Sequence, residues 1–183
     1  MPLEQNAMTT TAESPVTKTR EQVVSEAKRI EEDALYSSKG HFFAAERWAA
    51  FHLWIGLPTT VLAAVAAASA FARFDSSQVA AGTIAIAVAA LTAVTTFVNP
   101  RENASAHLTA GNKYDALMNK TRIFWTIDAW LRDSDGVLSA EVKALSLEKE
   151  RLNADCPQIP GWAYKRAKKG IEAGEALHAV DKK

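Results

Sequence analysis

The chain has almost no cysteine: Cys156 is the single thiol in 183 residues. That excludes an internal disulfide framework and a metal site built from cysteines alone. Neither sign of charge is in excess, with 21 Lys and Arg against 21 Asp and Glu. The composition therefore gives no support to a nucleic-acid partner, which needs a basic excess or face. The N-terminal MPLEQNAMTTTAESPVT lacks an apolar run and does not read as a secretory signal. Its Thr, Ser, Pro and Glu predict a disordered tail over residues 1–17. The motifs of phosphate loops, dinucleotide turns, nucleophile elbows and zinc-dependent proteases are missing. No catalytic residue, cofactor or metal site is expected, and the chain does not read as an enzyme.

The most telling absence is local. Residues 48–72 and 76–100 form two windows of 25 residues each without Asp, Glu, Lys or Arg, parted by Arg73, Phe74 and Asp75. As helices each reaches roughly 37 Å, and about 20 residues suffice to cross a bilayer. Each window holds eight residues from Leu, Ile, Val and Phe. Their transfer gain of roughly −2 to −5 kcal/mol makes one span alone a marginal insertion. A hairpin of both is better, because threonines and small residues can then face a partner helix. The competing reading is a buried hairpin in a soluble protein, whose helices usually keep a polar face. Neither window has a charged one.

Flanking charge sets the orientation. Lys39 and Arg47 precede the first window, and Arg101, Lys113 and Lys120 follow the second. The positive-inside rule places both arms in the cytoplasm, with Trp48 and Trp54 at that boundary. The reading is an all-α protein of the cell inner membrane: a two-span transmembrane hairpin whose long cytoplasmic helices form a bundle. The expected boundaries are a helical arm over 18–47, spans over 48–72 and 78–100, an outer turn over 73–77, and a second arm over 101–183.

Within the spans, small and polar residues repeat. Gly56, Thr60, Ala64 and Ala68 recur every four residues, the spacing that lets helix backbones approach closely. Thr92, Thr95, Thr96 and Asn99 share one helical face. His52 is the single ionisable group at membrane depth, a functional candidate on that ground. Two readings stay open: a packing seam, with threonines bonding back to their own helix, or the lining of a path. Two helices cannot enclose a pore, so a path needs a homo-oligomer in the lipid bilayer. Pro58 removes one backbone bond and is expected to bend its helix.

In the first arm, Val23, Val24, Ala27, Ile30, Ala34 and Leu35 predict an amphipathic helix from about Thr19, capped by Thr17 or Thr19 and interrupted at Gly40. The second arm predicts a long helix with His107, Tyr114 and Leu117 at near-helical spacing and an apolar face of Ile123, Phe124, Ile127, Trp130 and Leu131. Residues 133–136 (DSDG) read as a turn, with a third helix opening at Ser139. The segment from Cys156 to Trp162, with Pro157 and Pro160, breaks it. A last helix over AYKRAKKGIEAGEALHAV carries Lys165, Arg166, Lys168 and Lys169, a solvated face or a contact for anionic headgroups. His41 and His107 flank the spans on one side, and packing or hydrogen bonding between the arms is expected of them. Tyr114 and Trp162 are further arm-packing candidates.

Three stretches in order carry a resemblance: YSSKGHFFAAERWAAFHLWIGLPTTVLAAVAA, AALTAVTTFVNPRENASAHLTAGNKYDAL and PQIPGWAYKRAKKGI. They resemble the SLATT family, two-transmembrane effector domains associated with prokaryotic nucleotide-signalling systems, over roughly residues 19–175. The resemblance implies a membrane effector that oligomerises and forms a pore or disrupts the bilayer in a bacterial antiphage conflict system. It also implies a nucleotide-dependent sensor protein encoded separately. The alternative is a membrane-anchored scaffold or signalling adaptor without pore activity.

Overall fold

The computed structural model describes residues 15–71, 77–132, 134–178 and 180. Among them the chain is helical, with no strand: α1 (Pro15–Phe71), α2 (Ser77–Val98), α3 (Pro100–Ile123), a π-helical turn (Phe124–Asp128), α4 (Ala129–Leu131), α5 (Asp135–Asp155) and α6 (Gly161–Glu172). The tail expected over 1–17 lies outside the described residues, except for its last three, which are helical. So does the outer turn expected over 73–77, except for Ser77, which opens α2.

The first arm and the first apolar window are one helix. α1 runs 57 residues without a break, about 85 Å at helical rise. Thr17 and Thr19 lie inside it and do not cap it. Gly40 does not interrupt it, because that glycine serves close packing. A Cβ there would fall 2.9 Å from Ile159 Cγ2, so its absence lets the Pro157–Pro160 segment lie against α1. Pro58 also sits within the continuous helix.

One stripe runs along the whole of α1. Val23, Ala27, Ile30, Ala34, Ser38, His41 and Ala45 are buried, and Trp48, Ile55, Thr59, Leu62, Ala66 and Ser69 are half-buried. With His52, these positions alternate steps of three and four almost throughout, the seven-residue repeat of helices that wrap around each other. Against the arm half pack α3, α5 and α6; against the apolar half packs α2. The arm core joins Val23, Ala27, Ile30 and Ala34 to Tyr114, Leu117, Phe124, Leu138, Val142 and Leu145.

α2 mirrors the stripe with Ala81, Ile84, Val88, Leu91, Thr95 and Val98 as its least exposed positions. The rest of both apolar segments faces outward. In the most apolar 18 residues of each, 0% and 6% are buried, and both helices are long and apolar enough to cross a membrane. Trp54 (80%) and Phe97 (92%) are largely exposed, which is not how a soluble protein's core helix looks.

α2 and α3 are parted at Asn99, the one non-glycine residue with positive φ (44°) among those described. Asparagine tolerates this left-handed conformation better than most residues. Pro100 restarts the helix at its first position, where a missing N–H is harmless. Asn103 Nδ2 donates to the carbonyls of Val98 (2.8 Å) and Asn99 (3.2 Å), covering acceptors left by the break.

The apolar face expected over residues 123–131 is largely not core. Phe124 and Ala129 are buried, but Ile123, Ile127, Trp130 and Leu131 are about half exposed or more. The π-helical turn between them is the reason: a wider turn shifts the helical register, so buried positions fall five apart. α5 begins at Asp135, four residues before the expected start at Ser139. α6 ends at Glu172, so the expected last helix stops well short of Val180.

Gly111 gives a direct test of the arm packing. A Cβ there would sit 2.7 Å from Phe42 Cε1, whereas nothing lies within 4 Å of one at Gly56. Gly111→Val should lower stability by about 1–3 kcal/mol in thermal unfolding of the detergent-solubilised chain. Gly56→Ala should leave it unchanged or slightly higher. Equal effects would contradict this packing.

Candidate functional site

The buried stripe of α1 changes chemistry as it nears the apolar half. Below it are Val, Ala and Ile; above Ala34 come Ser38 and His41, each 1% exposed. Helical spacing alone puts these residues on the face that meets α3. There α3 offers His107, Ala110, Gly111 and Tyr114, all buried, and Gly111 brings the two helices close.

His41 Nδ1 and His107 Nδ1 are 2.9 Å apart, a hydrogen bond in which one ring donates and the other accepts. The accepting ring must be unprotonated at that nitrogen. Tyr114 stacks on His41 at 5.5 Å between ring centroids. Its hydroxyl donates to Asn153 Oδ1 of α5 at 2.7 Å. Cys156, half-buried, lines the same cleft as His41, Tyr114 and Asn153. The sequence placed His41, His107 and Tyr114 between the arms. Asn153 was not foreseen, because nothing local pairs it with a tyrosine 39 residues away.

Burial governs the ionisation of this cluster. It lowers His41 to about 4, with His107 adding to the effect, and it lowers His107 as well. Burial, then Cys156, raises Tyr114 to about 12. The Cys156 thiol is also raised by burial; Lys113 opposes this and Asp155 adds to it. A raised thiol holds little thiolate and is a poor nucleophile. No group of three or more His, Cys, Asp or Glu that could hold a metal ion occurs among the described residues. The site couples α1, α3 and α5 through the His41–His107 bond, the stacking of Tyr114 on His41 and the Tyr114–Asn153 bond.

The span candidates fall elsewhere. His52 is exposed where α2 gives way to α3 along the α1 stripe. Gly56, Thr60, Ala64 and Ala68 do not form the α1–α2 seam, which uses Ile55, Thr59, Leu62, Ala66 and Ser69. Of the small-residue row, Thr60, Ala64 and Ala68 are exposed and Gly56 is half-buried, because the seam follows the seven-residue repeat and a four-residue repeat drifts off it. Thr92 and Thr96 are exposed and Thr95 is half-buried. Thr95 and Thr96 hydroxyls donate to the Thr92 carbonyl at 2.9 and 2.8 Å. Asn99 does not continue the threonine face. It ends the helix, and its carboxamide bonds Glu102 of α3.

Trp162 opens α6 at the level where the charged arms meet the apolar half. The Arg47 guanidinium lies 4.5 Å over its ring. One turn further, Arg166 lies 4.2 Å over Phe43 and 3.6 Å from Glu46. Lys168 lies 3.7 Å from Glu172. The basic patch on α6 is thus partly neutralised, with Lys165 and Lys169 exposed.

The buried histidines make arm stability depend on pH. The folded value of His41, about 4, is below its ordinary 6.5, so the unfolded chain binds more protons between those values. Stability is present in full above about pH 6.5 and is lost as pH falls toward about 4, on the order of 2–3 kcal/mol. Thermal unfolding at stepped pH should show this loss in wild type and a smaller one in His41→Gln. A flat profile would contradict it.

Comparison with protein-family models, with curated proteins and with solved structures finds no match to this chain.

Proposed function

We propose that the chain is a membrane-embedded effector that oligomerises and permeabilises the bilayer it spans. The observation that carries this is the exposure of both apolar segments: they pack on each other along one stripe and leave the rest for lipid or for further copies. In this reading α2 and the second half of α1 form a transmembrane hairpin in the cell inner membrane. The arms form a cytoplasmic bundle, and both termini are cytoplasmic, supported by Lys39, Arg47, Arg101, Lys113 and Lys120 flanking the spans.

Two features support self-association. The row of Gly56, Thr60, Ala64 and Ala68 gives a second helix a close approach. Thr92 and Thr96 put hydroxyls on a surface that lipid does not favour. The resemblance to SLATT effectors supports an antiphage or conflict setting with a nucleotide-dependent sensor encoded separately. The arm bundle is the natural receiver of such a signal, since α1 runs unbroken from arm into span.

A second reading, a membrane-anchored scaffold without pore activity, is favoured by the threonine geometry. Thr59, Thr60, Thr83, Thr95 and Thr96 all donate to carbonyls of their own helix, so their hydroxyl protons are already engaged. The exposed apolar residues Ile127, Trp130 and Leu131 on the arms also suit contact with another protein.

Dye or ion leakage after induced expression, with membrane fractionation of the same cells, separates the two. The effector reading expects protein in the membrane pellet and leaking cells. Thr96→Leu should then insert normally and leak several-fold less. Gly56→Leu, harmless within one chain, should weaken crosslinked oligomers. Pelleted protein that never leaks, even with the arms engaged by partner proteins, leaves the scaffold. Protein in the soluble fraction without detergent would overturn both.

A further inference from the structure

A groove of about 310 Å³ opens where the arms meet the apolar half, lined by Arg47, Trp48, Phe51, Val98, Pro160 and Trp162. Its walls come from three places in the chain. Trp48 and Phe51 are the first turn of the uncharged part of α1, Val98 is the last residue of α2, and Pro160 and Trp162 open α6. The groove therefore straddles the level at which charge begins on both helices. If the spans cross a bilayer, that level is the headgroup region, where indole rings favour the boundary.

The lining has one charge and no acid. Arg47 is exposed, and no carboxylate pairs with it among the described residues; its neighbour Glu46 is taken by Arg166. The guanidinium carbon lies over the Trp162 ring, and the Arg47 N–H groups have no carboxylate partner among the described residues. These groups form a planar fork of donors matched to phosphate oxygens. Beside it, Trp48, Phe51, Val98 and Trp162 offer an apolar wall. The volume suits a headgroup phosphate with glycerol and a few methylenes.

We propose that this groove binds an anionic phospholipid of the leaflet facing the arms, with its phosphate on Arg47 and its upper acyl chain between Phe51, Val98 and Trp162. The site rests on the membrane reading above. A zwitterionic lipid brings a cationic group that finds no carboxylate in the lining, so anionic lipid is preferred. Because α6 contributes Trp162 and α1 contributes Arg47, a bound lipid also ties α6 to the head of the spans.

The test is native mass spectrometry of the full chain in mild detergent, offered equal amounts of phosphatidylglycerol and phosphatidylcholine. The expected result is retained phosphatidylglycerol in clear preference. Arg47→Gln should reduce that preference about tenfold, the loss of a charge-assisted contact. Arg47→Lys should keep part of it, and Trp162→Ala should reduce retention of both lipids. Arg101→Gln removes a neighbouring cation outside the groove and should change little. Equal retention of both lipids by wild type overturns the proposal, as does an equal loss in Arg101→Gln and Arg47→Gln, which would mean a diffuse basic field. Should Arg47→Gln fail to fold, Arg47→Lys and Trp162→Ala still decide it, since wild-type behaviour in both overturns it. Protein extracted without detergent would instead sink the membrane reading, a different failure from membrane-bound protein without lipid preference.

Discussion

The structure depends on one contact stripe along α1. A helix of 57 residues has no stability of its own at most of its surface, and its arm half holds many charges. What keeps it in place is a repeat of three and four running from Val23 to Ser69. α2, α3 and α5 pack against α1, while α6 lies on a neighbouring face of it, at Tyr36, Phe43, Glu46 and Arg47. The arm core, the histidine pair and the α1–α2 seam are successive sections of one interface, and its chemistry changes with height. It is aliphatic low in the arm, polar and hydrogen-bonded near His41 and His107, and in the apolar half mostly small and β-branched, with Leu62 and Leu91 among them.

That continuity gives the junction its importance. α1 passes from its charged half to its apolar half unbroken, whereas α2 and α3 are parted at Asn99. The His41–His107 bond lies about two helical turns along α3 from this break, with Tyr114 about two turns further. Buried polar contacts of this kind fix register, because a slipped alignment leaves donors and acceptors unpaired in a dry interior. The ion pairs further out, such as Lys149 with Asp33 at 2.7 Å and Lys120 with Glu148 at 2.7 Å, are exposed. They contribute modestly to stability while orienting α5 on the bundle.

The exposed surfaces divide into two kinds. The apolar halves of α1 and α2 present Leu53, Trp54, Leu57, Val61, Ile86 and Phe97 in all directions away from their seam, as a lipid-facing surface does. The arms are charged and mixed in sign, apart from the patch left by the π-helical turn. That turn spends the apolar residues Ile123, Ile127, Trp130 and Leu131 on the surface, so the patch follows from a register shift and not from a lack of space in the core.

Much of this was legible in the amino-acid sequence. The two uncharged windows, the arm helices and the placing of His41 and His107 on one side follow from local composition and from periodicity, which act along the chain. The start of the α1 stripe at Val23, Ala27, Ile30 and Ala34 was legible too, but its continuation through Ile55, Thr59, Leu62, Ala66 and Ser69 was not, because the four-residue row from Gly56 stood out instead. Which glycines matter was not legible either. Gly40 looked like a break and is a close contact with Ile159, while Gly56 has no neighbour within 4 Å of a Cβ inside the single chain. The breaker residue Asn99 and the π-helical register shift were likewise invisible, as was the pairing of Tyr114 with Asn153. Each of these depends on what a residue meets across the fold. Periodicity reports which residues share a face, but only the packed helices decide which face is covered and by what.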